Sequence, residues 1–179
     1  MSSSVIVFAL LVVLLPAVFA GLLSLGFYYI LAKAQPAISK LAPIVIGLLL
    51  AVLVPFLSFV PPIRPILPVL NLVVLQMGIL TPFMLIRNHL PDRHHSTILF
   101  SGSVVTVAVL LIYGFAMAFG SEAPSPVSQF LMSLPLSEIG LPIMSLVMAY
   151  LAAALISAVI FGAVLAVVAA FQRRKVRSG

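Results

Sequence analysis

The sequence predicts an all-α, polytopic integral membrane protein, a single domain over residues 1–179 built as a bundle of five transmembrane helices. Of its 179 residues, 64% are hydrophobic and only 7% are charged. Soluble domains carry about 25% charged residues, and a chain this apolar would expose surface that water does not tolerate. Lipid is therefore the solvent that most of these side chains require.

Charged residues divide the chain into five apolar runs. Each run has about 20 residues or more, the length that a helix needs to cross a hydrocarbon core of roughly 30 Å. Helices are predicted because a helix satisfies its own backbone in lipid, and because the alternating pattern of a barrel strand is missing. The predicted spans are 5–32, 41–60, 66–86, 97–119 and 142–171, followed by a basic tail at 172–179.

The basic residues predict the orientation of the bundle. Lys33 and Lys40 lie in the first loop, and Arg87 and Arg93 lie in the third loop, on the same side as the C-terminal tail. Lys and Arg collect on the cytoplasmic side of membrane proteins. An N-out, C-in orientation places eight basic residues inside and only Arg64 outside. We expect the tail to contact anionic lipid headgroups rather than nucleic acid, through Arg173, Arg174, Lys175 and Arg177.

Two segments leave alternatives open. Residues 18–20, followed by Gly21, resemble a signal-peptidase site, and cleavage after Ala20 would leave four spans. However, no basic residue precedes the first run, and the run continues to Ala32. The loop at 120–141 contains an apolar stretch that predicts a short helix lying in the outer interface. A re-entrant segment is the alternative for this loop.

The third span is unusual because it combines helix-breaking prolines with buried amides. Pro68 and Pro82 accompany Asn71 and Gln76, and an amide in hydrocarbon needs a hydrogen-bonding partner. Hydrogen bonds to neighbouring helices are the favoured interpretation. The alternative is a polar path for a solute, with hydroxyls of the third and fourth spans. The candidate path comprises Asn71, Gln76, Thr81, Ser103 and Thr106.

The loop after the third span concentrates the most chemically versatile side chains. Histidine can act as an acid, a base or a metal ligand near neutral pH. The spacing here lacks the helical pattern of a zinc site, and His94 and His95 are adjacent, so on regular structure they point apart. We expect a solvated turn that contacts lipid phosphates, with no catalytic residue, metal or cofactor. The candidates for a metal site would be His89, Asp92, His94 and His95.

Small residues recur every four positions in the fifth span, and we call them the small-residue stripe: Ala154, Ala158, Gly162, Ala166 and Ala170. A stripe of this kind lets another helix approach closely. The partner is either another helix of this chain or a helix of another subunit. A neighbouring row of the same helix contains Ser145, Ala149, Ala153 and Ser157. The first span offers mating rows at Ala17 and Gly21 and at Ala20 and Ser24.

The absences narrow the classes of function. The chain has no cysteine, which excludes disulfides and thiolate chemistry. The predicted spans contain no Asp, Glu, Lys, Arg or His, although proton relays and ion-coupled pumps depend on such groups. The sequence also lacks a P-loop, a nucleophile elbow and a His-Glu-x-x-His motif. We therefore do not expect an enzyme. If the protein were one, its active site would be in the histidine loop.

Two functions from different classes remain. The first is a non-catalytic multi-pass subunit or scaffold that packs against partner membrane proteins or against itself, within a membrane protein complex. The alternative is a carrier or channel that transports a small, mainly uncharged solute. Small size and short loops suggest a prokaryotic inner (plasma) membrane or a thylakoid as the location.

Overall fold

The computed structural model describes residues 3–34, 36–120 and 137–177. Within these ranges the chain is helical with no strand, so the predicted all-α class is confirmed. Three short 3-10 helices lie in the loops, at Pro61–Ile66, Arg87–His89 and Asp92–His94. The five α-helices are α1 (Ser3–Lys33), α2 (Pro36–Leu57), α3 (Leu67–Ile86), α4 (His95–Gly120) and α5 (Ser137–Arg177).

All five α-helices of the described chain are long and apolar enough to cross a membrane. The mean hydropathy of their most apolar 18-residue windows lies between 2.1 and 2.8, which is the range of transmembrane segments rather than of amphipathic surface helices. The chain is therefore an integral membrane protein by its helices. The interfacial helix predicted in the loop at 120–141 falls largely on residues 121–136, which lie outside the described residues.

Helix α3 lies at the centre of the bundle. It contacts each of the other four helices, which surround it in the order α1, α4, α5, α2. Half of its most apolar window is buried, against 17% for α5. Successive helices run in opposite directions, so the bundle has two ends. We call the end that contains His95 the His95 end, and the end that contains the C-terminus of α2 and the start of α3 the Arg64 end.

Helices approach closely where a glycine faces a large side chain. An added methyl group at Gly78 of α3 would lie 2.7 Å from the carbonyl oxygen of Tyr150 in α5. The ring of Tyr150 also occupies the space over Gly47 of α2, and the ring of Phe161 occupies the space over Gly102 of α4. Since real methyl groups do not approach this closely, these positions accept only glycine at the present helix separations.

Most helix boundaries differ from the sequence prediction, and α2 and α5 each begin five residues early, at Pro36 and Ser137. α2 ends at Leu57 rather than at residue 60, where the hydroxyl of Ser58 donates to the carbonyl oxygen of Pro55 at 2.6 Å. α4 begins at His95, two residues early. α5 has 41 residues and ends at Arg177, so it is about 60 Å long at 1.5 Å per residue. The basic tail predicted at 172–179 is therefore largely a continuation of the helix rather than a separate segment.

Candidate functional site

Aromatic rings from four helices meet at the His95 end. The ring of Phe83 in α3 is fully buried and lies edge-on to Tyr28 of α1 at 5.4 Å between centroids. It also lies 5.9 Å from the ring of His95 in α4 and 5.5 Å from that of Phe161 in α5. Edge-to-face pairs at these distances are each worth about 0.5–1.5 kcal/mol beyond the buried area. This junction therefore connects α1, α3, α4 and α5.

His95 closes this junction with hydrogen bonds at both ring nitrogens, one as a donor and one as an acceptor. Nε2 lies 3.0 Å from the carbonyl oxygens of Arg87 and Leu90, which can only accept. Nε2 therefore has the proton, and in the neutral ring Nδ1 is an acceptor. The hydroxyl of Tyr28, 3.1 Å away, donates to Nδ1. The imidazole of His95 thus connects the loop between α3 and α4 to α1 by hydrogen bonds.

The expectation that the histidine loop is a solvated turn is wrong for His95. His95 is only 9% exposed, whereas His89, Asp92 and His94 are exposed. Burial follows from the start of α4 at His95, since the helix turns this side chain inward between Tyr28 and Phe83. Asp92 Oδ1 lies 3.7 Å from His95 Nε2 at the protein surface. Among the described residues, no three His, Asp or Glu side chains come together in a metal-binding arrangement.

Tyr28→Phe should lower the free energy of unfolding by about 1–2 kcal/mol, because it leaves the buried Nδ1 of His95 without a donor. The adjacent variant Tyr29→Phe is the matched control. It removes a hydroxyl that contacts Ser96 Oγ at 2.8 Å on an exposed surface, where the cost is within about 0.5 kcal/mol. Detergent-titration unfolding followed by circular dichroism measures both. Equal losses for the two variants would contradict the role of His95 as a fastening residue.

Three of the five residues of the candidate polar path, Gln76, Thr81 and Thr106, contact side chains of other helices. Gln76 is fully buried between α3 and α1, where its Oε1 accepts a hydrogen bond from Ser24. Thr81 Oγ1 donates to the carbonyl of Met77 and lies 2.9 Å from the hydroxyl of Tyr150 in α5.

Ser103 and Thr106 of α4 are fully buried as well. Ser103 donates to the carbonyl oxygen of Leu99 in its own helix at 2.6 Å. Thr106 Oγ1 lies 3.3 Å from Ser157 Oγ of α5. Asn71 is exposed at the Arg64 end, away from these four. Three of the five polar groups therefore contact a polar side chain of another helix, whereas Ser103 bonds within α4 and Asn71 makes no hydrogen bond within the described residues.

The side-chain amide of Gln76 has one atom without a hydrogen-bond partner among the described residues. Its Nε2 is buried without a hydrogen-bond partner, the only such side-chain atom among the described residues. The oxygen and nitrogen of a side-chain amide are assigned from the hydrogen-bond network, so a rotated amide would face Ser24 with its nitrogen. In either orientation one end of the amide lacks a partner, which costs about 1–3 kcal/mol.

The small-residue stripe of α5 faces away from the rest of the chain. Ala154 is half-buried, and the other four members are exposed. An added methyl group at Gly162 would meet nothing within 4 Å. The face of α5 that packs inside the bundle is instead the one with Tyr150, Ala153, Ser157 and Phe161. It includes two residues of the neighbouring row, Ala153 and Ser157, whereas Ser145 is exposed.

Small residues of α1 contact α4 and α3 rather than the stripe, at Gly21 and Ser24. Ala17, Ala20, Gly21 and Ser24 are all buried, and a methyl group at Gly21 would lie 3.0 Å from the ring of Phe100 and 3.1 Å from Val104. The suggested pairing of α1 with the small-residue stripe is therefore wrong. Within the described residues the stripe has no helix of this chain against its exposed positions.

Sequence reasoning missed the partners of the buried polar groups. Ser24 and Ser157 were singled out for their small size, yet each contacts a polar side chain of another helix. Tyr28 and Tyr150 were not considered as partners. A signal was present, because a hydroxyl in an apolar run needs a hydrogen bond wherever it is buried. The side chains of Arg173, Arg174, Lys175 and Arg177 lie outside the described residues.

The fold and these contacts define the class of protein: an all-α bundle of five apolar helices, cross-linked by buried polar and aromatic contacts. No protein-family model, no curated protein and no solved structure matches the chain. Its function must therefore be argued from its own geometry.

Proposed function

We propose that this protein is a non-catalytic multi-pass membrane subunit that packs against a helix of a partner membrane protein. The observation that carries the proposal is the outward position of the small-residue stripe on α5. Gly162 and its exposed neighbours Ala158 and Ala166 form a shallow groove, and no side chain of the described residues lies over Gly162. Lipid tails do not require such a groove, whereas a closely packed helix does.

The internal polar groups support a structural role. Gln76, Thr81 and Thr106 each meet a polar side chain of an adjacent helix. Such contacts fix how helices pack in lipid, at about 0.6 kcal/mol on average. The carrier alternative has less support, because it needs the same groups to face a shared passage. It would require that Asn71→Ala and Gln76→Ala abolish solute flux in proteoliposomes while the protein still folds.

The proposed orientation is N-out and C-in, with the His95 end in the cytoplasm. It rests on the basic residues of the His95 end, Lys33, Lys40, Arg87 and Arg93, against Arg64 at the other end. The long α5 would then project its basic C-terminal turns beyond the bilayer, toward anionic headgroups. We propose a prokaryotic inner membrane or a thylakoid as the location.

Extraction in a mild detergent tests the proposed function. The tagged protein is solubilised from its native membrane and its size is measured by native electrophoresis and mass spectrometry. We expect a complex that contains a different membrane protein and is larger than the 19.0 kDa chain. Recovery of the chain alone, as a monomer or as a homo-oligomer, would contradict the proposal of a partner subunit.

A further inference from the structure

A cleft of about 330 Å³ opens at the Arg64 end, between the last turn of α2 and the first turns of α3 and α5. Its volume is at the lower end of the roughly 300–1,000 Å³ range of ligand pockets. Apolar side chains such as Val54, Leu67 and Leu146 form part of the lining, together with Asn71 and two serines. The cleft is thus amphipathic, with polar groups among apolar ones.

Asn71 is the polar group of this cleft that the protein leaves unsatisfied. It is exposed, and its amide makes no hydrogen bond within the described chain. Since Asn71 comes four residues after Leu67, it lies about 6 Å along the α3 axis from the helix start. That depth is near the boundary between hydrocarbon and headgroups. Lipid tails cannot satisfy an amide, so a polar group is needed in the cleft.

Arg64 supplies a positive charge next to Ser58, one of the residues that line the cleft. Its Nε donates to the carbonyl oxygen of Ser58 at 3.1 Å, and Ser58 is part of the lining. This bond holds the guanidinium beside the cleft, while its remaining N–H groups have no acceptor in the described chain. A guanidinium in this setting binds phosphate oxygens through two parallel hydrogen bonds.

The two serines of the lining add acceptors. Ser58 Oγ donates to Pro55 O at 2.6 Å, and Ser145 Oγ donates to Pro142 O at 2.9 Å. Each hydroxyl proton is thus occupied, and each oxygen keeps lone pairs that can accept. The cleft therefore combines a cation beside it, an amide donor inside it and apolar surface. These groups complement the phosphate, an ester carbonyl and an acyl chain of a glycerophospholipid.

We propose that this cleft binds the phosphoglycerol region of one anionic phospholipid, with the phosphate on Arg64, an ester carbonyl on Asn71 and the first acyl methylenes on Val54 and Leu67. The occupant is a membrane lipid because the start of α3 places the cleft at headgroup depth and the cleft is open within the described residues. The binding is independent of the partner helix, which would pack on the exposed face of α5.

A tryptophan reporter can test the proposal, because the chain has no Trp of its own. Leu146→Trp places the reporter in the cleft, and Val69→Trp places one at a similar depth on an exposed face of α3. Each variant is reconstituted in vesicles with brominated phosphatidylglycerol or brominated phosphatidylcholine as quencher. At Leu146→Trp we expect the anionic lipid to bind about fivefold better, the effect of one basic residue near the surface. At Val69→Trp the two lipids should quench equally.

Three further variants test which residues bind the phosphate and the ester carbonyl of the lipid. Arg64→Gln in the Leu146→Trp background should remove the preference, whereas Arg93→Gln, at the other end, should keep it. Asn71→Leu should weaken quenching by both lipids, because both contain the ester carbonyls. Equal quenching of Leu146→Trp by the two lipids, or a preference that survives Arg64→Gln, would overturn the proposal. Displacement by millimolar inorganic phosphate would also overturn it, by assigning the cleft to a soluble anion.

Discussion

Gly78→Val should lower the free energy of unfolding by about 2–3 kcal/mol, at the upper end of the cost of overpacking a core. An added Cβ would lie 2.7 Å from the backbone oxygen of Tyr150 and 2.9 Å from the Cβ of Ala153. Neither atom can rotate away, so α3 and α5 must separate. Because α3 contacts every other helix, this separation loosens the whole bundle. Unfolding by titration with a denaturing detergent, followed by circular dichroism, measures the loss.

Gly162→Val is the matched control for Gly78→Val. Both replace a helical glycine with the same side chain, but Gly162 has nothing within 4 Å of the added Cβ. The isolated protein should therefore change by no more than about 0.5 kcal/mol. If the two variants were equally stable, the close approach of α3 and α5 at Gly78 would be contradicted.

Gly162→Leu together with Ala158→Leu should release the protein from its partner while the isolated bundle stays folded. Both side chains would fill the groove of the small-residue stripe and hold a partner helix away. Close packing in lipid depends on van der Waals contact between helices, so the affinity should fall at least about tenfold, or 1.4 kcal/mol. Co-purification after mild-detergent extraction measures the loss, with quantitative mass spectrometry of the partner.

Leu15→Ala and Val45→Ala are controls for that pair. These residues are on α1 and α2 and are 71% and 61% exposed, so shortening them changes a lipid-facing surface outside the stripe. We expect the partner to remain bound to these variants. Full retention of the partner by the Gly162→Leu, Ala158→Leu variant would show that the stripe is not the docking face.

The number of helices could be predicted from the sequence because a membrane span is defined by length and hydropathy alone. The charges that bound the runs lie in or near the observed loops, for example Lys33 and Arg87 at the ends of α1 and α3. The faces that pack could not be predicted in this way. A helix in lipid is apolar all round, so periodicity does not distinguish the buried face from the exposed one.

Packing between these helices depends on pairs of residues that are distant in the sequence. Gly102 is buried because it meets Phe161, and neither residue alone indicates the contact. His95 is similar, since it is separated from its donor Tyr28 by 67 positions. Beside two other histidines in a polar loop, it has no local feature that predicts burial. Asn71 could be singled out from the sequence as an unusual amide, but its cleft depends on the start of α5.

Site-specific photocrosslinking in native membranes tests directly whether the small-residue stripe of α5 docks a partner helix. One variant has a benzophenone amino acid at Ala158 in the small-residue stripe. A second variant has it at Leu15 of α1, which is 71% exposed. We expect one discrete adduct between Ala158 and another membrane protein, and no protein adduct from Leu15. Reaction of both positions with lipid alone, or equal protein adducts from both, would contradict the proposal that α5 docks a partner helix.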